Sequence, residues 1–112
     1  MNNPLTVVVP IFNAAGQTRR CLKALHRSMA SCPDSVAVLL IDDASTDPEI
    51  AKILIQIQAR LPGWVVKRSK MNRGFVGTAN LGMQLAGTSD VLLLNSDTVP
   101  VGDWLERIRR CA

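Results

Sequence analysis

Val36-Ala37-Val38-Leu39-Leu40-Ile41 is apolar throughout and runs directly into Asp42-Asp43-Ala44-Ser45-Thr46-Asp47-Pro48-Glu49. Six apolar residues without polar alternation describe a strand covered on both faces, the condition of a parallel sheet flanked by helices. The polar stretch is a strand end merging into a helix start. Asp47 can accept backbone N–H bonds as N-cap, and Pro48 suits the first helical position, where its missing N–H costs nothing. Ile50, Ile53, Leu54, Ile57 and Leu61 then recur at helical spacing until Pro62-Gly63, which stops the helix.

Working outward, Leu5–Val9 (LTVVV) is a short β-branched strand closed by Pro10. Ala15 to about Ser31 has helical spacing, with Cys21, Leu22, Leu25 and Met29 on one face and Arg19, Arg20, Lys23, His26 and Arg27 largely on the other. Residues 32–35 form a turn. Trp64–Lys67 is a third strand. Gly74 to Leu85 is a helix predicted to pack Val76, Ala79 and Met83, with Asn80 on the same inward side. Val91–Leu94 is a fourth buried strand, and Trp104, Leu105 and Ile108 begin a last amphipathic helix. The order βαβαβαβα predicts an α/β fold: a Rossmann-like three-layer α/β/α arrangement with a mostly parallel sheet of about four strands and right-handed crossovers.

At 112 residues the chain fits a single domain, and 47% hydrophobic against 20% charged residues excludes intrinsic disorder. Thirteen basic and nine acidic residues leave a formal charge of +4. That charge mildly favours anionic partners and, without a motif, does not indicate nucleic acid. Three cysteines without metal-ligand spacing read as reduced thiols in a cytoplasmic protein, with neither a disulfide framework nor a zinc site. The apolar runs, about six residues long, fall far short of the roughly 18–20 that span a bilayer, and no signal peptide is expected. After the first strand there is no GxGxxG, and no GxxxxGK[ST] occurs, so neither a dinucleotide fingerprint nor a P-loop is present.

In such sheets ligands sit at the carboxyl ends of the strands, and the polar residues gather there. Phe12 and Asn13 after the first strand could stack on and hydrogen-bond a base, or be a core aromatic and a turn former. Asp42 and Asp43 abut a buried strand, where an unpaired charge is costly. They could bind a base edge or ribose, or be solvated loop residues. Arg73 and Gly74 at a helix N-terminus suit an anion, and an inward Asn80 would need a partner; the plain alternative is a tight glycine-rich turn. Asn95-Ser96-Asp97 offers oxygen donors of the kind Mg or Mn takes, with Asp97 the best candidate, or it forms an Asx turn. His26 and the arginines at 107, 109 and 110 read as solvated.

Together, VVVPIFN (7–13), LLIDDASTD (39–47), NRGFVGTANLG (72–82) and LLLNSDT (92–98) resemble the family 2 inverting glycosyltransferases with the GT-A fold. The resemblance spans residues 5 to about 110 and covers only the nucleotide-binding half of that family's catalytic domain. It implies that residues 1–112 form a partial GT-A nucleotide-sugar-binding domain without its acceptor-binding half. Pro10, Phe12 and Asn13 would line the base pocket, although the family's aromatic is more often Tyr. Asp42 or Asp43, or both, would bind base and ribose. The 72–80 segment, with Arg73, Gly74 and Asn80, would shape the nucleoside and diphosphate pocket. Asn95 and Ser96 would face the sugar and Asp97 would be the metal ligand, Asn95 standing where the DxD motif has its first Asp.

The resemblance also implies a parent enzyme that takes a nucleotide-diphosphate sugar and transfers the sugar to an acceptor glycan or lipid-linked sugar, with inversion, at the inner membrane surface. The general base lies in the absent half; Asp103 and Glu106 read as the start of a helix. This chain alone is therefore expected to bind donor without transferring it, and to associate with itself through the sheet edge beside Val91–Leu94. The reading from a different class is a non-catalytic nucleotide-binding or interaction module of the same fold. A receiver-type domain ranks third, for want of a phosphoacceptor and lysine arrangement.

Overall fold

A computed structural model of the chain describes residues 4–29, 36–98 and 100. The predicted turn at 32–35, the helix at 104–108, the arginines at 107, 109 and 110, Asp103, Glu106, Cys32 and Cys111 lie outside the described residues. The elements are β1 (Leu5–Ile11), α1 (Ala15–Met29), β2 (Val36–Asp42), α2 (Pro48–Arg60), β3 (Val65–Arg68), α3 (Gly74–Ala86) and β4 (Asp90–Leu93). All strand pairs are parallel, in the order β3-β2-β1-β4.

This order fixes the layers. The chain moves from β1 to β2 to β3 in one direction, then returns past both to place β4 on the far side of β1. Crossovers of one hand demand that the returning helix lie on the opposite face of the sheet. The core divides accordingly. Val7, Val9, Ile11, Val38 and Leu40 pack with Cys21, Leu22 and Leu25 of α1 and Ile50, Ile53 and Leu54 of α2. Val8, Leu39 and Ile41 point the other way, with Leu81 of α3 packed against them. Alternation of period two along buried strands thus feeds both layers from one apolar run. The fold is the expected three-layer α/β/α. The strand expected to be buried at 91–94 is not: β4 lies at the sheet edge among the described residues, none of its four residues is buried, and only Leu94 just past it is.

Two boundaries follow from local chemistry. Asp47, at φ −76° and ψ 118°, caps α2 by accepting the Glu49 N–H at 2.9 Å, with Pro48 in the first turn. Pro10 does not close β1, which continues to Ile11. The Val8 carbonyl accepts from Leu94 on the β4 side and the Ile11 carbonyl from Asp43 on the β2 side. Alternation therefore turns Pro10 toward β4, whose pairing with β1 has ended at Val8, so its missing N–H breaks no ladder bond.

α3 corrects the sequence reading. Its buried residues are Thr78, Ala79 and Gly82, whereas Val76 is 70% and Met83 47% exposed and Asn80 faces outward. The helix approaches the sheet so closely that a side chain on Gly82 would overlap Val8 Cγ1, and only small residues fit that face.

Candidate functional site

The strand order reverses between β1 and β4, and in open α/β sheets the crevice outside the carboxyl ends at such a point is where ligands bind. A cleft of about 620 Å³ lies there, lined by Pro10, Ile11, Phe12, Ala14 and Gln17 from β1 and the start of α1, and Asp43 after β2. Asn72, Gly74, Phe75 and Thr78 from α3 and its approach, with Asn95, Ser96 and Asp97 after β4, complete it. Phe12 and Phe75 are half exposed. Two aromatic faces held open at a cleft are a platform on which a planar base can stack.

The adjacent carboxylates part company. Asp42, at the end of β2, is wholly buried. Its carboxylate accepts the Arg68 Nε–H at 3.1 Å and the Ser45 N–H at 3.0 Å; it ties β2 to β3 and does not line the cleft. Asp43 does. Its two oxygens accept the N–H groups of Arg73 at 2.7 Å and Gly74 at 2.9 Å, and the Asn72 amide donates to its backbone carbonyl at 3.2 Å. α3 has no side-chain cap on its own N-cap residue, Arg73, so Asp43 serves that end from another strand, where the helix dipole favours a negative charge. Gly74 takes φ +77° there, a conformation glycine adopts without penalty.

Asn13 is held away from the cleft by structural work. Its Oδ1 accepts from the Thr46 and Asp47 N–H groups at 2.9 and 3.0 Å, its Nδ2 donates to Thr46 Oγ1, and its own N–H donates to Ser45 Oγ. It straps the β1 end to the loop before α2, at a φ of +52° that Asn tolerates better than most residues. Asn13→Ala should cost about 1–2 kcal/mol of stability through the lost acceptor, read as a lowered urea midpoint, and leave the cleft residues in place. Arg73 contributes its backbone N–H at the cleft margin, and Asn80 takes no part in the wall. Of the candidates, Pro10, Phe12, Asp43, Gly74, Asn95, Ser96 and Asp97 come together in one cleft. Asn72, Phe75 and Thr78 join them from within the 72–80 segment expected at the pocket, though not named individually, and Gln17, on the first turn of α1, joins them from outside any expected segment.

Asp97 and Ser96 sit on the turn after β4, where the Thr98 N–H donates to the Asn95 carbonyl at 3.0 Å. Cys21 Sγ approaches the same carbonyl at 3.6 Å. Burial, and secondarily the charge of Asp97, push the Cys21 thiol up to about 11, so it is neutral near pH 7. No group of three or more His, Cys, Asp or Glu side chains suited to a metal occurs among the described residues. The exposed Asp97 carboxylate with the neighbouring Ser96 and Asn95 oxygens is instead the sparse donor set of a hard cation that takes one or two carboxylates and completes its shell with phosphate oxygens. The residues fit Mg or Mn arriving with a diphosphate.

Among the described residues no helix is long and apolar enough to cross a membrane. The family model described as Glycosyl transferase family 2 matches residues 6–110. The chain is 24% identical over 109 residues to "Glycosyltransferase GlyA" of Streptococcus pneumoniae serotype 4, covering 96% of this chain and 14% of that protein. In structure it is similar to S. aureus TarS 1-349 in complex with UDP-GlcNAc, with a TM-score of 0.76 and 22% identity, over 93% of this chain and 29% of that one. It is equally similar to the mannosyltransferase PcManGT from Pyrobaculum calidifontis in complex with GDP-Man and Mn2+, with a TM-score of 0.76 and 20% identity, over 92% and 30% of the two chains. The chain thus spans less than a third of the length of these relatives.

Proposed function

The chain belongs to glycosyl transferase family 2, and from that premise we propose that its cleft is the donor site for a nucleotide-diphosphate sugar. One observation carries this: the strand order reverses where two open aromatics, a buried carboxylate and the Asn95-Ser96-Asp97 turn share one crevice. Phe12 and Phe75 hold the base between apolar faces. Asp43, each of whose oxygens keeps a free lone pair, accepts from the base. Asn95 and Ser96 face the sugar, and Asp97 holds a divalent cation, Mn or Mg, against the diphosphate. Such a cation supplies charge neutralisation to a departing diphosphate. The bound nucleotide sugars of TarS and PcManGT support the ligand class.

In the parent enzyme the sugar passes to an acceptor hydroxyl with inversion, by direct displacement of the nucleoside diphosphate. A positioned carboxylate that takes the acceptor proton contributes about 10²–10⁴-fold, and the carboxylates that line this cleft, Asp43 and Asp97, are assigned to the base and the cation. The working reading for this chain alone is donor binding without transfer to a glycan or lipid-linked acceptor. Its setting is the reducing cytoplasm, and β4, an edge strand among the described residues, favours self-association.

Calorimetric titration with uridine or thymidine diphosphate tests the reading. Binding between millimolar and micromolar is expected, tighter with Mn or Mg, and no heat at millimolar ligand would overturn it. Asp97→Asn should abolish the gain from metal while leaving the melting temperature of the free protein within about 2 °C, because the side chain is exposed and unbonded to the core. A metal gain that survives in this variant would place the cation elsewhere.

A further inference from the structure

Thr78 is wholly buried, lies in the wall of the cleft, and its Oγ1 has no hydrogen-bond partner among the described residues. A helical threonine can satisfy itself by bonding back to the carbonyl of the preceding turn, and this one does not. An unpaired buried hydroxyl is a standing cost to the fold. A hydroxyl kept at that cost in the wall of a cleft that also carries Asp43, Asn72 and Asn95 is placed to serve a ligand. Its placement is set by Gly82, one turn further along α3, which is pressed on Val8. That contact brings Thr78 to the carboxyl end of β1, on the face to which Pro10 belongs.

We propose that Thr78 reads the nucleobase, its Oγ1 donating a hydrogen bond to the carbonyl farthest from the ribose. The proposal rests on the donor-site reading of the cleft. Asp43 is acceptor-only when ionised, and Thr78 can donate, so the two together match a ring N–H beside a carbonyl. Uracil and thymine present that pair at N3–H and O4. Cytosine presents the reverse pattern there, an acceptor nitrogen beside an amino donor. The edge remote from the ribose enters deepest, since the ribose must lead out toward Asn95-Ser96-Asp97. The fully buried Thr78, unlike the open Phe12 and Phe75, lies at that depth.

Titration of the intact chain with UDP and CDP, in Mg, tests this with Thr78→Val and Thr78→Ser. Wild type should prefer UDP. Valine keeps the shape and removes the hydroxyl, so UDP should bind about five- to tenfold more weakly while CDP changes by less than about twofold. Serine should restore most of the UDP affinity. The free Thr78→Val protein should melt no lower than wild type, because no bond inside the fold is lost. Unchanged UDP affinity in Thr78→Val, or equal losses for UDP and CDP, would overturn the assignment. A fall of several degrees in the melting temperature of free Thr78→Val would show a partner within the fold and overturn it too. Failure of wild type to bind any nucleotide would instead bring down the donor-site reading, before any variant is compared.

Discussion

Gly82→Val should lower stability by about 3 kcal/mol or more, enough to shift the melting temperature by some 10–20 °C in a domain of this size. A Cβ at position 82 would overlap Val8 Cγ1 and come within 3.2 Å of Val8 Cγ2 and 3.3 Å of Ile41 Cδ1. Val8 and Ile41 are entirely buried, and both are β-branched, stiff at χ1. One extra methylene in a packed core costs about 1–3 kcal/mol, and valine brings three carbons. Alanine is the milder case: its helix propensity gains about 1 kcal/mol over glycine, leaving a net loss of about 1–2 kcal/mol. Gly16→Ala in α1 is the control, since nothing lies within 4 Å of its Cβ. Thermal melts of the three variants decide the matter, and equal stability of Gly82→Val and Gly16→Ala would refute the close approach of α3.

Asp43→Asn should strike fold and cleft together. The carboxylate accepts two backbone N–H groups, one on each oxygen. An amide has one oxygen, so its NH₂ would confront one of those donors. Hydrogen bonds to charged groups contribute about 1.5–3 kcal/mol, and a loss of about 2–3 kcal/mol is expected in urea titration. Nucleotide affinity, measured at 10–15 °C on the folded fraction, should fall at least tenfold. Asp42→Asn provides the contrast. It removes the Arg68 ion pair, half of which is already solvent-exposed, and should cost about 1–2 kcal/mol with nucleotide affinity preserved. Equal effects of the two variants on binding would mean that the two carboxylates share the cleft after all.

The neighbours Asp42 and Asp43 also show what the sequence could convey. That they must part is legible, since successive residues at a strand end point to opposite sides. Which of them meets the ligand depends on Arg68 and on the Arg73-Gly74 amides, 26 and 30–31 positions away, and no local pattern announces those partners. Asn13 is the same case: its partners Ser45, Thr46 and Asp47 are joined to it only by the pairing of β1 with β2. β1, β2, α1 and α2 were readable because their buried residues are large and apolar and therefore carry the period. α3 was misread for the opposite reason. Its buried face is made of Thr78, Ala79 and Gly82, which hydropathy hardly registers, so Val76 and Met83 advertised the exposed face as the packed one. The same small-residue face that hid the helix's orientation positions Thr78 in the cleft.

The place of β1 in the sheet bears on how the chain comes to be folded. It is the first made of the described strands and sits inside the sheet, with β2 on one side and β4 on the other. Leu5 pairs with Val36 and with Asp90, so one flank closes over 31 positions and the other must wait for 85. The longer closure costs about 0.9 kcal/mol more in chain entropy, and it cannot begin until β4 has been synthesised. During translation, therefore, β1 and β2 with α1 form the early unit, and the β4 flank of β1 stays unpaired until nearly all of the described chain has emerged. The proposed donor crevice opens on that late flank: it is completed by the last of the described strands to arrive, and a chain that has not yet reached β4 lacks one wall of the cleft.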